Sequence, residues 1–316
     1  MAEVAEILAY HYGHTSLAGK VFAYLSLAGT KSLCIYSLDK AASHLTAALA
    51  HLDKNPDCAS DAQVTDFLLS HLALLEVSAQ VKREIDVLPR YLERVARLGD
   101  DPRAVIIRAI HVGALCRNAR YREAAAMHRE ASRMANRLGE AGPKAWVLAS
   151  EIAVSSKVEP KPLHEFEILM TEAIKAASDT SEAIIQKSAR GLDGLLALAL
   201  GPSTAFRNAW IVIGVEEAVR GRMNDARDAA RELMQVGRLL NDPRSTGYSL
   251  LLLSIIAVMS ESYPEALEYS EQSLAVAVTP FDRNLSTAFK LSALVALRRT
   301  EEGAMLLEAY RPPLCC

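Results

Sequence analysis

Eight histidines, five cysteines and two acid pairs are the residues of this chain best suited to chemistry. His11 and His14 stand close together, and His44 and His51 lie two helical turns apart on one face. A zinc site needs three or four ligands. Neither histidine pair has a Cys or carboxylate brought to it by spacing, so no metal site is expected. The remaining four, His71, His111, His128 and His164, are read with them as surface or capping residues. Cys34, Cys58, Cys116, Cys315 and Cys316 are scattered and odd in number, which suits reduced thiols better than a disulfide framework.

Gly13-His14-Thr15-Ser16-Leu17-Ala18-Gly19-Lys20-Val21 has the look of a phosphate-binding loop and fails its tests. Five residues separate the glycines instead of four, Val21 stands where a hydroxyl must reach magnesium, and no strand precedes it. It reads as a turn between helices. Asp100-Asp101 and Glu301-Glu302 sit at helix starts, where negative charge complements the helix dipole. No nucleophile-elbow motif is present. The expectation is therefore no catalytic residue and no cofactor.

Composition narrows the partners. A net charge of −3 over 316 residues leaves no electrostatic footprint for nucleic acid. The N-terminus carries Glu3 and Glu6 and no basic segment of a signal peptide. The most apolar runs, Leu192–Leu200 and Tyr248–Met259, fall short of the roughly 18–20 residues of a membrane span. A cytoplasmic protein without membrane or nucleic-acid partners is expected.

The elements that position these residues follow from a repeated turn. Met223-Asn224-Asp225-Ala226 and Tyr263-Pro264-Glu265-Ala266 share a bulky residue, a free position, an acid and an Ala. Leu38–Ala41 and Tyr121–Ala124 repeat the pattern, and Thr300–Gly303 is a degraded copy. The small anchor sits where two helices meet beside a short turn and only Ala, Gly or Ser fits. The spacing leaves room for further units, one with its anchor near Val87, and for an irregular insert over 181–204. Helix starts are signalled at Ser60 or Asp61, at Asp101-Pro102 and at Asp242-Pro243; a helix from about Asp86 carries Pro89 in its first turn, and one over about 162–178 closes its pair. The predicted fold is all-α: a single domain over 1–316, a right-handed α-solenoid of about seven antiparallel helix pairs.

Two further sets of residues carry a resemblance. The bulky-x-acid-Ala turns resemble those of tetratricopeptide repeats, at a longer period. Leu8-Ala9-Tyr10-His11-Tyr12, Tyr24, Ala28-Gly29, Ser37, Ala41 and His44-Leu45 resemble the opening of the C-terminal helical region of bacterial multidomain class III adenylate cyclases. In that family a cyclase domain and an AAA-type ATPase module precede the repeats. Gly221–Val278 and Pro280–Leu307 resemble its later repeats, and about 184–215 stands outside the likeness. Neither the cyclase nor the ATPase module is present in this sequence, so the resemblance carries over no catalytic residue. It implies a bacterial signalling protein and a regulatory role for the repeats.

The surface expected to matter is the inner face formed by the first helix of each pair. Mapped back from Ala226 it comprises Asn208, Ile211, Val215 and Val219; from Ala266, Tyr248, Leu251, Ile255 and Met259. Equivalent sets are Ile106, Ala109, Gly113 and Arg117, and Leu285, Ala288, Ser292 and Val295. This lining is apolar. Either curvature buries the face against itself, or it holds an apolar helix or loop of a partner, the upstream modules of a parent protein among the candidates. The expected function is a non-catalytic scaffold for protein–protein or ligand-sensing interactions. The alternative is a stand-alone regulator binding a small molecule or peptide in the groove.

Overall fold

In the computed structural model the described residues are 4–78, 80–155, 161–188, 202–239 and 242–309. They form fifteen α-helices, one 3-10 turn at Pro56–Cys58 and no strand. The helices are α1 (Ala5–Gly13), α2 (Ala18–Cys34), α3 (Leu38–Lys54), α4 (Asp61–Val77), α5 (Val81–Ala96), α6 (Pro102–Arg117), α7 (Tyr121–Leu138) and α8 (Ala141–Ser155). There follow α9 (Leu163–Ser188), α10 (Pro202–Val219), α11 (Met223–Leu239), α12 (Pro243–Met259), α13 (Tyr263–Val276), α14 (Pro280–Ala296) and α15 (Thr300–Ala309). None of the helices among the described residues is long and apolar enough to cross a membrane.

The repeated turn is a repeated backbone conformation. Five residues before each recognised anchor the chain takes a positive φ: Tyr36 (55°), Ala119 (56°), Gly221 (78°), Glu261 (58°) and Arg298 (59°). The N–H of the next residue then donates back across the turn. Ser37 bonds Ser32 O at 2.9 Å, Arg120 Leu115 O at 2.9 Å, Arg222 Glu217 O at 2.8 Å, Ser262 Ala257 O at 2.8 Å and Arg299 Leu294 O at 2.9 Å. This is the six-to-one bond of a Schellman cap, which satisfies a carbonyl that the ending helix leaves open. Ala41, Ala124, Ala226 and Ala266 are fully buried one turn into the second helix, and Gly303 is buried in the same slot.

One more turn makes the same bond. Gln80 N–H donates to Leu75 O at 2.8 Å, which starts α5 at Val81 and puts Glu84, one turn before Val87, in the anchor slot. Helix α9 starts at Leu163 without that bond, since Pro162 has no N–H to donate; buried Phe166 lies one turn in, its N–H donating to Pro162 O at 3.0 Å. Helix α1 precedes the first of these turns.

Three sequence expectations shift. The early start of α5 places Pro89 in the helix interior and not in its first turn. Pro89 is exposed, and its missing N–H leaves the Ile85 carbonyl without its helix bond. Helix α9 runs ten residues past the expected end at 178, because Asp179-Thr180-Ser181-Glu182 contains neither Gly nor Pro. The irregular segment is therefore helical to Ser188; 189–201 lies outside the described residues. The caps hold: Ser60 forms a capping box with Gln63, and Asp101, Asp242 and Thr279 each accept from a first-turn N–H.

Internal packing divides the chain into two compact units, Met1–Phe206 and Arg207–Cys316. In both, contacts among the described residues run between consecutive helices and between next-but-one helices: α2 on α4, α4 on α6, α6 on α8, and α12 on α14. The first unit packs Phe22, Phe67, Leu45, Leu68 and Leu72 at its centre. The second relies on close helix approach. A Cβ at Gly214 would meet Leu252 and Ala229, and one at Gly237 would lie 2.7 Å from the backbone N of Thr246.

An ion-pair ladder links successive repeats. Arg90 pairs with Asp53, Arg103 with Asp66 and Arg137 with Asp100, each across 37 residues. Arg207 pairs with Asp242 across 35 residues and Arg244 with Asp282 across 38. The offset matches the repeat length, so each pair joins neighbouring units.

Candidate functional site

Two surfaces stand out, one in each unit. In the second unit, the expected face lies on α10 and α12, which meet where Gly214 faces Leu252. Along α12, Tyr248 and Leu251 are buried, Ile255 is half-buried and Met259 is 40% exposed. Along α10, Ile211 and Val215 are half-buried and Val219 is 62% exposed; the side chain of Asn208 lies outside the described residues. The stripe thus runs from interior to surface as each helix approaches its turn.

Its buried end is closed by a polar network. Arg244 donates to both oxygens of Asp282 at 3.0–3.2 Å and to the Tyr248 hydroxyl at 3.2 Å. Tyr248, Leu251 and Leu285 line a cavity there of about 10 Å³, at most the volume of one water probe. Tyr248 and Leu251 are therefore core residues of α12. The surface end, Val219 and Met259, occupies the same slot seven residues before the two anchors. Val295, from the equivalent set on α14, is also exposed.

In the first unit, α7, the end of α8 and the start of α9 enclose an open cleft of about 930 Å³. His128 is buried on its floor. Its Nδ1 lies 3.0 Å from Ser150 Oγ, and its Nε2 lies 3.2 Å from Ser132 Oγ and 3.7 Å from Glu151 Oε2. Ser150 donates its one proton to Val147 O at 2.8 Å, so the Nδ1 proton must come from the imidazole. In the neutral ring Nε2 then accepts from Ser132. Glu151 Oε1 is 3.1 Å from Lys161 Nζ. Arg133 and Asn136 line the α7 wall and Glu165 the α9 wall. The positioning is helical: residues 129, 133 and 136 share one side of α7, and residues 128 and 132 point to its floor.

Of the other histidines, His11, His14 and His164 are exposed as expected, and two differ. His71 and His111, like His128, are buried, because each sits where the first-helix layer packs. Burial, aided by Arg83, lowers the His71 pKa to about 4. Burial also lowers that of His111, with Arg120 in support. His14 meets Tyr10 edge-on at 5.0 Å, and His51 Nε2 contacts Ala18 O at 3.0 Å. Gly13–Val21 forms the turn from α1 into α2. Asp100 pairs with Arg137, and Asp101 caps α6. Cys34, Cys58 and Cys116 are free thiols, and burial pushes Cys34 up to about 11. No group of three or more His, Cys, Asp or Glu among the described residues could hold a metal ion.

Sequence reasoning missed the cleft because His128, Glu151, Lys161 and Glu165 come from three helices with no fixed spacing. The one visible signal was Arg129, Arg133 and Arg137 at four-residue intervals on α7. No protein-family model and no curated protein matches this chain.

Proposed function

We infer that the chain is a binding module, an α-solenoid of seven antiparallel helix pairs that works by recognition and not by catalysis. The observation that carries this reading is the pair of exposed apolar side chains at one slot of successive first helices, Val219 and Met259, with Val295 exposed near the end of the next first helix. A repeat array presents equivalent positions in a row, and a row of apolar side chains suits an apolar helix or loop of a protein partner. The resemblance of Leu8–Tyr12 and Gly221–Val278 to the repeat region of bacterial adenylate cyclases names the partner class: the cyclase or ATPase modules of such a cytoplasmic signalling protein. Partner engagement would then shift the stacking of the helices and so bias those modules.

The test is retention of purified cyclase and ATPase modules of that family on the immobilised chain. Retention by wild type that is abolished in Val219→Asp/Met259→Asp is the expected outcome. Equal retention by both proteins, or none by either, overturns the assignment of partner and surface. Cyclic nucleotide formation from ATP by this chain alone overturns the non-catalytic reading, and a compact globular scattering profile overturns the solenoid.

A further inference from the structure

The cleft between α7 and α9 is a separate matter, since it is polar and belongs to the first unit. Its volume of about 930 Å³ falls in the range of small-molecule sites. What it takes follows from how its charges are already used. Glu151 is compensated by Lys161 at 3.1 Å. Arg129 is engaged within the chain. His128 is held by two serines, with its ring nitrogens 3.0 and 3.2 Å from them. Among the described residues, Arg133 on the α7 wall and Glu165 on the α9 wall have no ion-pair or hydrogen-bond partner. The cleft therefore presents one unspent cation and one unspent anion on opposite walls.

We propose that this cleft binds a zwitterion of amino-acid or dipeptide type. The ligand carboxylate accepts from Arg133 and from the Asn136 amide. Its ammonium donates to Glu165. A simple anion would meet Glu165 uncompensated, and a simple cation would meet Arg133. Only a ligand with both charges answers both walls. Ala126, Val154 and Pro162 supply apolar surface between them for the ligand's side chains. Because Ser132 and Ser150 fix the imidazole of His128, the floor is set before the ligand arrives, which lowers the ordering cost of binding.

Calorimetric titration of the full chain with Ala-Ala, Ala-Leu and Ala-Phe tests the proposal. Saturable binding of at least one dipeptide is expected. Its N-acetylated and C-amidated forms, each lacking one charge, should bind about tenfold more weakly or worse. Arg133→Gln and Glu165→Gln should each reproduce that loss, while Arg122→Gln, on the same helix outside the cleft, should leave affinity unchanged. Arg133 and Glu165 are exposed, so both variants should keep the wild-type thermal midpoint without ligand, which separates lost binding from lost folding. The absence of dipeptide binding overturns the proposal. So does equal binding of the blocked forms, or unchanged affinity in both cleft variants. Val219→Asp/Met259→Asp should bind dipeptide normally, so failure of the partner-docking reading leaves this test intact.

Discussion

The two units use the same ion-pair offset at different depths. In the second, the side chains of Arg244 and Asp282 are 4% and 12% exposed. In the first, those of Arg137 and Asp100 are 57% and 42% exposed. The repeat fixes where a pair forms; the packing around it fixes what the pair is worth. Other residues divide in the same way. All eight histidines lie before Arg207, whereas glycines whose added Cβ would meet a neighbouring helix occur in both units, Gly29 in the first and Gly214 and Gly237 in the second. A common turn thus supports one unit that carries all the histidines and one that carries none.

The largest effect should separate the two pairs. Asp282→Asn keeps the shape of the side chain and strips the Asp282 charge from buried Arg244, which also contacts the Tyr248 hydroxyl and ring. Breaking a buried pair from one side costs about 3–5 kcal/mol, so urea denaturation should show a loss of that order. Asp100→Asn should leave the midpoint within error, because water solvates both partners. Equal losses in the two variants would show that depth does not set the value of the pair.

Acid should distinguish the units next. The folded pKa of His71 is lowered to about 4, below the ordinary 6.5 of an unfolded chain. Between those values the unfolded state takes up a proton that the folded state refuses. The contribution is complete above pH 6.5, is lost as pH falls toward 4, and changes no further below that. One pKa unit is worth about 1.4 kcal/mol, so His71 accounts for about 3 kcal/mol, and His111 shifts in the same direction. The only tryptophans are Trp146 in the first unit and Trp210 in the second. Single-tryptophan variants therefore report each unit by fluorescence. Trp146 should lose stability from pH 6.5 to 4 while Trp210 holds; parallel losses would refute the assignment to buried histidines.

Much of this architecture was legible because it is local. Bulky-x-acid-Ala marked three of the turns, those at Tyr121, Met223 and Tyr263, with looser copies at Leu38 and Thr300, and Asp101-Pro102 and Asp242-Pro243 marked helix starts, since caps depend on residues a few positions apart. The turn at Gln80 was harder to read because Glu84, and not Ala or Gly, stands at the fourth position of α5. Its start was misplaced by Pro89, which the rules put in a first turn and an exposed helix face tolerates. The face on α10 and α12 was half legible. Periodicity selected Ile211, Val215, Leu251 and Ile255, but it could not tell that Tyr248 and Leu251 close the interior, which depends on Arg244 meeting Asp282 from another helix. The cleft around His128 was illegible for the same reason: three helices converge there, and no spacing rule joins them.

Helix approach gives a sharper comparison at lower energy. Gly237→Ala puts a methyl 2.7 Å from the backbone N of Thr246, which cannot swing away, so a loss of about 1–3 kcal/mol is expected. At Gly113 in the first unit a Cβ would meet only the end of the Arg117 side chain, at 3.4 Å. Gly113→Ala should stabilise α6 by about 0.5–1 kcal/mol, because glycine in a helix interior loses more conformational freedom on folding than alanine. Thermal denaturation of the two variants should show shifts of opposite sign. Equal losses would mean that Gly113 sits at a close approach, as Gly29 does against Leu45.

The smallest effect tests what the units share. Ala119 and Glu261 both hold a left-handed conformation before a second helix, at φ of 56° and 58°, where Gly221 does the same work at 78°. A Cβ in that conformation crowds the following carbonyl at a cost of roughly 1–2 kcal/mol, offset in part by the greater freedom glycine has when unfolded. Ala119→Gly and Glu261→Gly should therefore each stabilise the chain by about 0.5–1 kcal/mol, and Gly221→Ala should destabilise it by a similar amount. If the turn is one device used in both units, the two glycine variants should give the same shift in the first and second units. A gain at Glu261 without one at Ala119 would show that the first unit's turn is held by its neighbours and not by its own backbone.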